Sequence, residues 1–320
     1  MRRRTGASRQ AFHGAATLRR YVSRAFRVHH GVAKNTQQQE GAPQETPGNV
    51  VQLTKDEERE VRSRSSIRAA VVFEAVRREG EVELTRAAAA LAFSGLAAGL
   101  SMGFSLVGSG ILQAYLPDAP WRPLVVNLGY TFGFLIVVLG RQQLFTENTV
   151  TAILPVLDDP DKFKKLAQML RLWGIVLLSN LVGAGAFAFA MAHTATFDPQ
   201  IKSAFLKIGL ETLHPTFWEI VWRGILAGWL IALMVWLLPS GHQQRLWVIV
   251  LITWLVGAAG LSHIIAGSVE ALYAVSAGAW PWMSYLVGFL LPVFIGNCIG
   301  GVGLVAMLNF GQVLPEAEQS

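Results

Sequence analysis

The chain has a single cysteine, Cys298, in 320 residues, which excludes an internal disulfide framework or a thiolate metal cluster within one chain. It lies in an apolar stretch and reads as a small packing residue. Charge is scarce as well. Asp, Glu, Lys and Arg make up 15% of the chain against 52% hydrophobic residues, whereas soluble domains carry closer to about a quarter charged. Between Ala271 and Leu314 there is no charged residue at all, and none is acidic before Glu40. The net charge of +6 therefore belongs to tails and loops and is no argument for nucleic acid. Also missing are a His-Glu-x-x-His helix, a Gly-x-Ser-x-Gly elbow and a Gly-x-x-x-x-Gly-Lys phosphate loop, which speaks against the corresponding enzymes. Neither an enzyme nor a metal or cofactor site is expected.

What is present is apolar sequence in long runs, each near the roughly 20 residues a span needs. They cover Ala87 to about Tyr115, Leu124 to about Leu157, Leu172–Ala192, Phe217–Leu238, Leu246–Tyr273 and Ser284–Asn309. The expected fold is thus all-α and integral to a membrane, with six spans in a transmembrane domain over 86–310 and a C-terminal tail over 311–320. Residues 1–53 are Arg-, Gln-, Gly- and Pro-rich and read as a disordered basic tail. Both an organelle transit peptide and a solvated tail touching anionic lipid heads fit that composition. Over 54–85, Val71, Val72, Ala75 and Val76 are spaced for one apolar face, predicting an amphipathic cytoplasmic helix. The loop Asp158–Arg171, with Lys162, Lys164 and Lys165, should be cytoplasmic, which puts both termini there too.

The two halves of the domain echo each other. An offset of 117 residues sets Gly140 on Gly257, Asn180 on Asn297 and Gly183 on Gly300; nearer the front an offset of 129 sets Gly95 on Gly224 and Gly99 on Gly228. Three spans per half is an odd number, so the repeats would be inverted, as in many transporters whose pathway lies at the repeat interface. Small residues four apart, as in Gly95, Gly99 and Gly103, allow close helix approach. Polar residues interrupt the second and fifth spans, at Gly140–Asn148 and Gly257–His263, predicting broken helices that line a cavity. The same 117 offset sets Thr146 on His263, so the two should converge near the midplane, where ionisable groups tend to mark pathways. Ser262 adds a second hydroxyl, while Arg141 and Glu147 flank the first interruption as electrostatic tuning residues. Glu219 and Arg223 are spaced as an i,i+4 ion pair.

Leu144-Phe-Thr-Glu-Asn148, Gly224 to Trp236, Gly260-Leu-Ser-His263 and Pro292 to Gly301 resemble the formate/nitrite transporter family, most closely its YfdC-like branch, over about Ala87–Phe310. The resemblance implies an aquaporin-like fold, a homopentamer in the lipid bilayer of a bacterial inner membrane, and one pore per protomer. It implies Leu144, Phe145 and Thr146 in the second-span break, with Asn148 beside them, and His263 as a central histidine. Gln143, Gly267 and Thr212 stand where the family commonly has an acidic residue, an asparagine and a lysine. His214 follows Thr212 in that stretch.

The physics of such a pore suggests the substrate. A bare anion sheds water in an apolar constriction at a cost of several kcal/mol, and a proton removes that cost. A small weak-acid anion, formate- or nitrite-like, would take a proton from water or from His263, pass Leu144 and Phe145 as the neutral acid, and ionise beyond. A half-helix N-terminus beside His263 would help attract the anion. Two other functions fit the residues: a neutral-solute channel using Thr146 and Ser262, and an interaction or signalling protein with a vestigial pore.

Overall fold

The computed structural model describes residues 54, 55, 68–309, 311 and 312. The tail expected over 1–53, residues 56–67 of the expected amphipathic helix and most of the C-terminal tail lie outside the described residues.

Every described element is helical. A first helix, α1 (Ala69–Thr85), precedes α2 (Ala88–Tyr115), α3 (Arg122–Leu139) and two short helices, α4 (Phe145–Thr151) and α5 (Ile153–Asp158). Then come α6 (Lys162–His193), α7 (Pro199–Leu213), α8 (Phe217–Leu237), α9 (Arg245–Ala258) and α10 (Ile264–Ser276). A last run, α11 (Trp282–Asn309), is wound partly as π-helix, at Leu286–Leu290 and Ile299–Ala306. Among the described residues five helical stretches are long and apolar enough to cross a membrane: α2, α3, α6, α8 with the 3₁₀ turn that follows it, and α11. The expected fifth span instead comprises α9 and α10, two shorter apolar helices.

Local chemistry explains several boundaries. The Asp161 side chain accepts from the Lys164 N–H at 3.2 Å, which starts α6 ten residues before the apolar run does. The three lysines read as a loop are therefore in the first turn of a helix. Thr216 caps α8: its N–H and Oγ1 reach Glu219 Oε2 at 2.7 and 2.8 Å. Both bonds belong to the cap, so this side chain serves it rather than simply pairing with Arg223. Pro199 opens α7, where a missing N–H costs nothing.

In α1 the buried residues are Val72, Phe73, Val76, Gly80 and Leu84, whereas Val71 and Ala75 face out. The buried face is rotated from the expected one and includes Gly80, which packs directly against the Thr151 carbonyl and Pro155. Charges finish the docking. Arg77 meets Glu74 at 2.8 Å, Glu81 at 3.5 Å and Asp158 at 3.7 Å. Lys165 pairs with Glu81, and Arg171 donates to the Arg86 carbonyl at 3.3 Å. Burial opposes ionisation of Glu74, but hydrogen bonds from Arg77 and Arg78 outweigh it and hold that carboxyl below its ordinary range.

Between long helices, glycines set the spacing. The Gly99 position lies against the Asn180 carbonyl, and Gly183 against the Leu96 carbonyl and Leu100 amide. In the other half Gly228 lies against the Asn297 carbonyl, and Gly300 against the Ile225 carbonyl and Trp229 amide. Helix axes this close bury backbone on backbone, which explains why both halves need glycine at those points. The core cluster reaches from Leu91 and Met102 on α2 to Phe289 and Val293 on α11.

Candidate permeation site

The site is built where α3 and α9 stop. After Leu139 the Gly140 N–H bonds the Ile136 carbonyl, Arg141 bonds Val138 and Gln142 bonds Val137. After Ala258 the same bonds run from Ala259 to Leu255, Gly260 to Gly257 and Leu261 to Val256. Each turn passes through a left-handed residue, Arg141 at φ 51° and Gly260 at φ 60°. The chain then extends through Leu144 (φ −106°, ψ 129°) or His263 (φ −102°, ψ 130°) and re-enters a helix.

One buried asparagine ties each turn down. Asn180 accepts from the Phe145 N–H at 2.9 Å and donates to the Gly95 and Gln143 carbonyls at 2.7 and 2.8 Å. Asn297 accepts from the Ile264 N–H at 3.0 Å and donates to the Gly224 and Ser262 carbonyls, both at 2.9 Å. These bonds satisfy backbone groups that would otherwise be orphaned at a buried helix end.

This matching corrects the sequence register. The offset of 117 holds for the asparagines, but at the turns the equivalent residues are 119 apart. Leu144 corresponds to His263, and Gly140 to Ala259 rather than Gly257. The reason is a length difference: 35 residues separate Phe145 from Asn180, and 33 separate Ile264 from Asn297. Thr146 and His263 nevertheless meet, with Oγ1 and Nε2 2.7 Å apart and both residues buried. They do so as neighbours across the centre, not as equivalents.

The tautomer follows from the other ring nitrogen. Nδ1 of His263 accepts from the N–H groups of Ile265 and Ala266 at 3.3 and 3.2 Å, at the start of α10. That nitrogen carries no proton, so in the neutral ring Nε2 carries it and donates to Thr146 Oγ1. Phe134 stands edge-on to the imidazole, ring centres 4.9 Å apart. Phe145 is stacked on Phe294 at 5.6 Å and edge-on to Trp173 at 5.5 Å. Leu144 and Phe145 are fully buried.

One cavity opens on His263, and a second is bordered by the two residues that follow Thr146 in sequence. The first is large, about 680 Å³, and is lined by His263, Ser262, Leu261, Tyr130, Thr212 and Glu270. The second is small, about 100 Å³, and is bordered by Gln143, Glu147, Asn148, Arg141 and, from α1, Glu79 and Glu83. The expected site residues therefore divide. His263 and Thr146 join at the centre, Ser262 and Thr212 open on the large cavity, and Asn148 with Glu147 and Arg141 opens on the small one. His214 is exposed and borders neither.

Arg141 pairs with Glu79 at 3.4 Å, not with Glu147, and Glu147 Oε1 is buried without a hydrogen-bond partner. Asn148 donates to Gln143 Oε1 at 2.9 Å, so Gln143 fills a structural place beside the turn. Gly267 has no room to be asparagine, since a Cβ there would lie 2.5 Å from the Phe289 ring. Glu270 found both things a lone charge needs: a hydroxyl, Thr212 Oγ1 at 2.7 Å, and a cavity. Among the described residues no group of three or more His, Cys, Asp and Glu could hold a metal.

Comparison with known proteins places this architecture. The family model described as formate/nitrite transporter matches residues 70–311. The Escherichia coli (strain K12) inner membrane protein YfdC is 45% identical over 246 residues, covering 77% of this chain and 79% of that one. The Haemophilus influenzae formate channel FocA is 27% identical, over 65% of this chain and 81% of that one. A solved pentameric formate channel with formate bound superposes with a TM-score of 0.60 at 23% identity, over 71% of this chain and 98% of that one. With its apolar spanning helices, the chain is an integral membrane protein that belongs to the formate/nitrite transporter family.

Proposed function

We propose that the chain is a homopentameric channel or transporter of an inner membrane that passes small monovalent weak acids, formate- or nitrite-like, through one pore per protomer. In this reading the spans number six: α2, α3 with α4, α6, α8, α9 with α10, and α11. They form two inverted repeats whose second and fifth spans are broken, and both termini are cytoplasmic. The matched asparagine ties support the repeat. The observation that carries the function is the buried polar bridge from Thr146 to His263, which meets the large cavity at His263 and is followed in sequence, after Thr146, by Glu147 and Asn148 on the wall of the small one.

The bridge suits passage of a neutral acid. Its surroundings, Leu144, Phe145 and Phe134, are apolar, and a bare anion would lose its hydration there at several kcal/mol. A neutral acid loses much less and can exchange hydrogen bonds with Nε2–H and the Thr146 hydroxyl as it passes. It ionises again in the second cavity. The chain's own fixed dipoles, the Ile265 and Ala266 amides, are spent on Nδ1 and hold the ring in place.

A neutral-solute channel is the competing reading, favoured by the absence, among the described residues, of a lysine or arginine acting on His263 and by the Thr146 and Ser262 groups. Liposomes containing the purified chain decide between them. Formate, nitrite, acetate and glycerol uptake are measured together with lumenal pH. Protein-accelerated weak-acid uptake with lumenal acidification, lost in His263→Ala, is expected. Glycerol uptake without weak-acid uptake, or His263→Ala equal to wild type at every pH, would refute the proposal.

A further inference from the structure

The geometry that fixes His263 leaves the constriction without a ready proton source. A proton added at Nδ1 would face two backbone N–H donors and break both bonds, while the Nε2 proton is already given to Thr146. Yet a small acid that is ionised in bulk must gain a proton before an apolar constriction. The large cavity holds a group fitted to supply it. Glu270 follows His263 by seven residues on α10, two turns and about 10 Å along the helix, so both lie on one face, with Gly267 between them and all three lining that cavity. Glu270 is 9% exposed.

Its partner can serve either protonation state. Thr212 Oγ1 is 2.7 Å from Glu270 Oε2 and 3.1 Å from the Ile208 carbonyl, but a hydroxyl has one proton. When that proton goes to Ile208, the contact with Glu270 is made by a carboxylic acid donating to Thr212. When it goes to Glu270, the same contact stabilises a carboxylate. The switch needs only a hydroxyl rotation. The other charged or titratable side chains on the cavity wall are Tyr130 and Arg122 from α3, Asp118 beside Arg122, Lys207 and Glu211 from α7, and Arg223 from α8. Arg122 pairs with Asp118 at 3.5 Å and Lys207 with Glu211 at 3.9 Å.

We propose that Glu270 is the proton-donating residue of the vestibule, giving its carboxyl proton to the entering anion before the solute reaches the His263–Thr146 bridge. The Glu270 O–H bond breaks and the solute O–H bond forms, leaving Glu270 as carboxylate with the Thr212 proton turned onto it. The neutral acid moves on, and water at the open end of the cavity returns a proton to Glu270. One proton enters for each anion carried. The proposal rests on the weak-acid reading above and adds the group that protonates the substrate.

The test compares formate uptake by the full chain and by Glu270→Gln in liposomes across about pH 4.5 to 7.5, a range in which the neutral share of formic acid falls steeply. Glutamine keeps the size and a hydrogen bond to Thr212 but has no proton to give. A loss of about tenfold or more is expected near neutral pH, below the roughly hundredfold low end of what a positioned acid contributes because water remains a second proton source. The loss should shrink toward nothing at the acid end, where protonated solute is plentiful. Thr212→Val should lose about threefold near neutral pH, and Glu270→Asp should recover part of the rate. Equal uptake by wild type and Glu270→Gln at every pH would overturn the proposal. So would an equal fractional loss at every pH, which is what a structural defect produces. No weak-acid uptake by wild type would instead overturn the weak-acid reading itself.

Discussion

Replacing Asn297 with alanine removes one side chain and three hydrogen bonds, to the Ile264 N–H and the Gly224 and Ser262 carbonyls. The residue is fully buried, as is its bond to the Ile264 N–H, whereas the Ser262 carbonyl is part-buried beside the large cavity. Measured interhelical hydrogen bonds in a membrane protein average about 0.6 kcal/mol and reach about 1.7, because the unfolded chain in lipid also finds partners. Three such bonds put the loss at about 2–5 kcal/mol. The freed Ile264 N–H and Ser262 carbonyl adjoin His263, so flux should fall with stability. Asn180→Ala removes the mirror set of bonds and should cost a similar amount. Unfolding in mixed micelles with increasing detergent denaturant, followed by tryptophan fluorescence and circular dichroism, reads both. A cost below about 0.5 kcal/mol for either variant, the scatter of ordinary surface changes, would refute the idea that each turn is held by its asparagine. So would a large cost for one and none for the other.

Thr146→Val should leave the Nε2–H of His263 without its acceptor in a buried site, at about 1–3 kcal/mol, and should lower weak-acid flux; unchanged stability and flux would separate Thr146 from the pore. Gly228→Val drives a side chain into the Asn297 carbonyl and should cost about 1–3 kcal/mol or more. Gly174→Ala meets nothing within 4 Å and should be neutral or stabilising by up to about 1 kcal/mol, both read by the same unfolding assay. On α1, the Glu74 carboxyl is held below its ordinary 4.5 by Arg77 and Arg78 of the same helix, so these pairs should stabilise α1 above that pH and cease to help as pH falls through the lowered value. The pairs are partly exposed, so Arg77→Ala should cost only about 0.3–1 kcal/mol, seen as faster proteolysis of α1 at neutral pH and a difference that shrinks as pH falls through the lowered Glu74 value.

Membrane insertion, the long helices and the two polar interruptions were all legible in the chain, because apolar runs of span length and polar breaks within them have few other structural uses. The register between the halves was not: glycine spacing alone favours 117, and the two extra residues between Phe145 and Asn180 become visible only through the hydrogen bonds at the turns. Helix α7 is not legible because its burial pattern, Ile201, Ala204, Phe205, Gly209 and Leu213, sits among two lysines and a glutamate in a short segment between spans. The partner of Glu270 was hidden too, since the hydroxyl that keeps it comes from 58 residues earlier.

By itself the sequence determined the solvent, the helical content and the residues Thr146 and His263 as a pair of interest, since each follows from hydropathy, period and the cost of burying polar groups. Tertiary structure alone decided which proton His263 carries, that Arg141 answers Glu79 rather than Glu147, and that Glu270 opens on the same cavity as His263. Those are contacts across long sequence separations or between side-chain atoms, whose distances depend on how packed helices rotate and where their axes cross. Spacing along one chain carries no term for either.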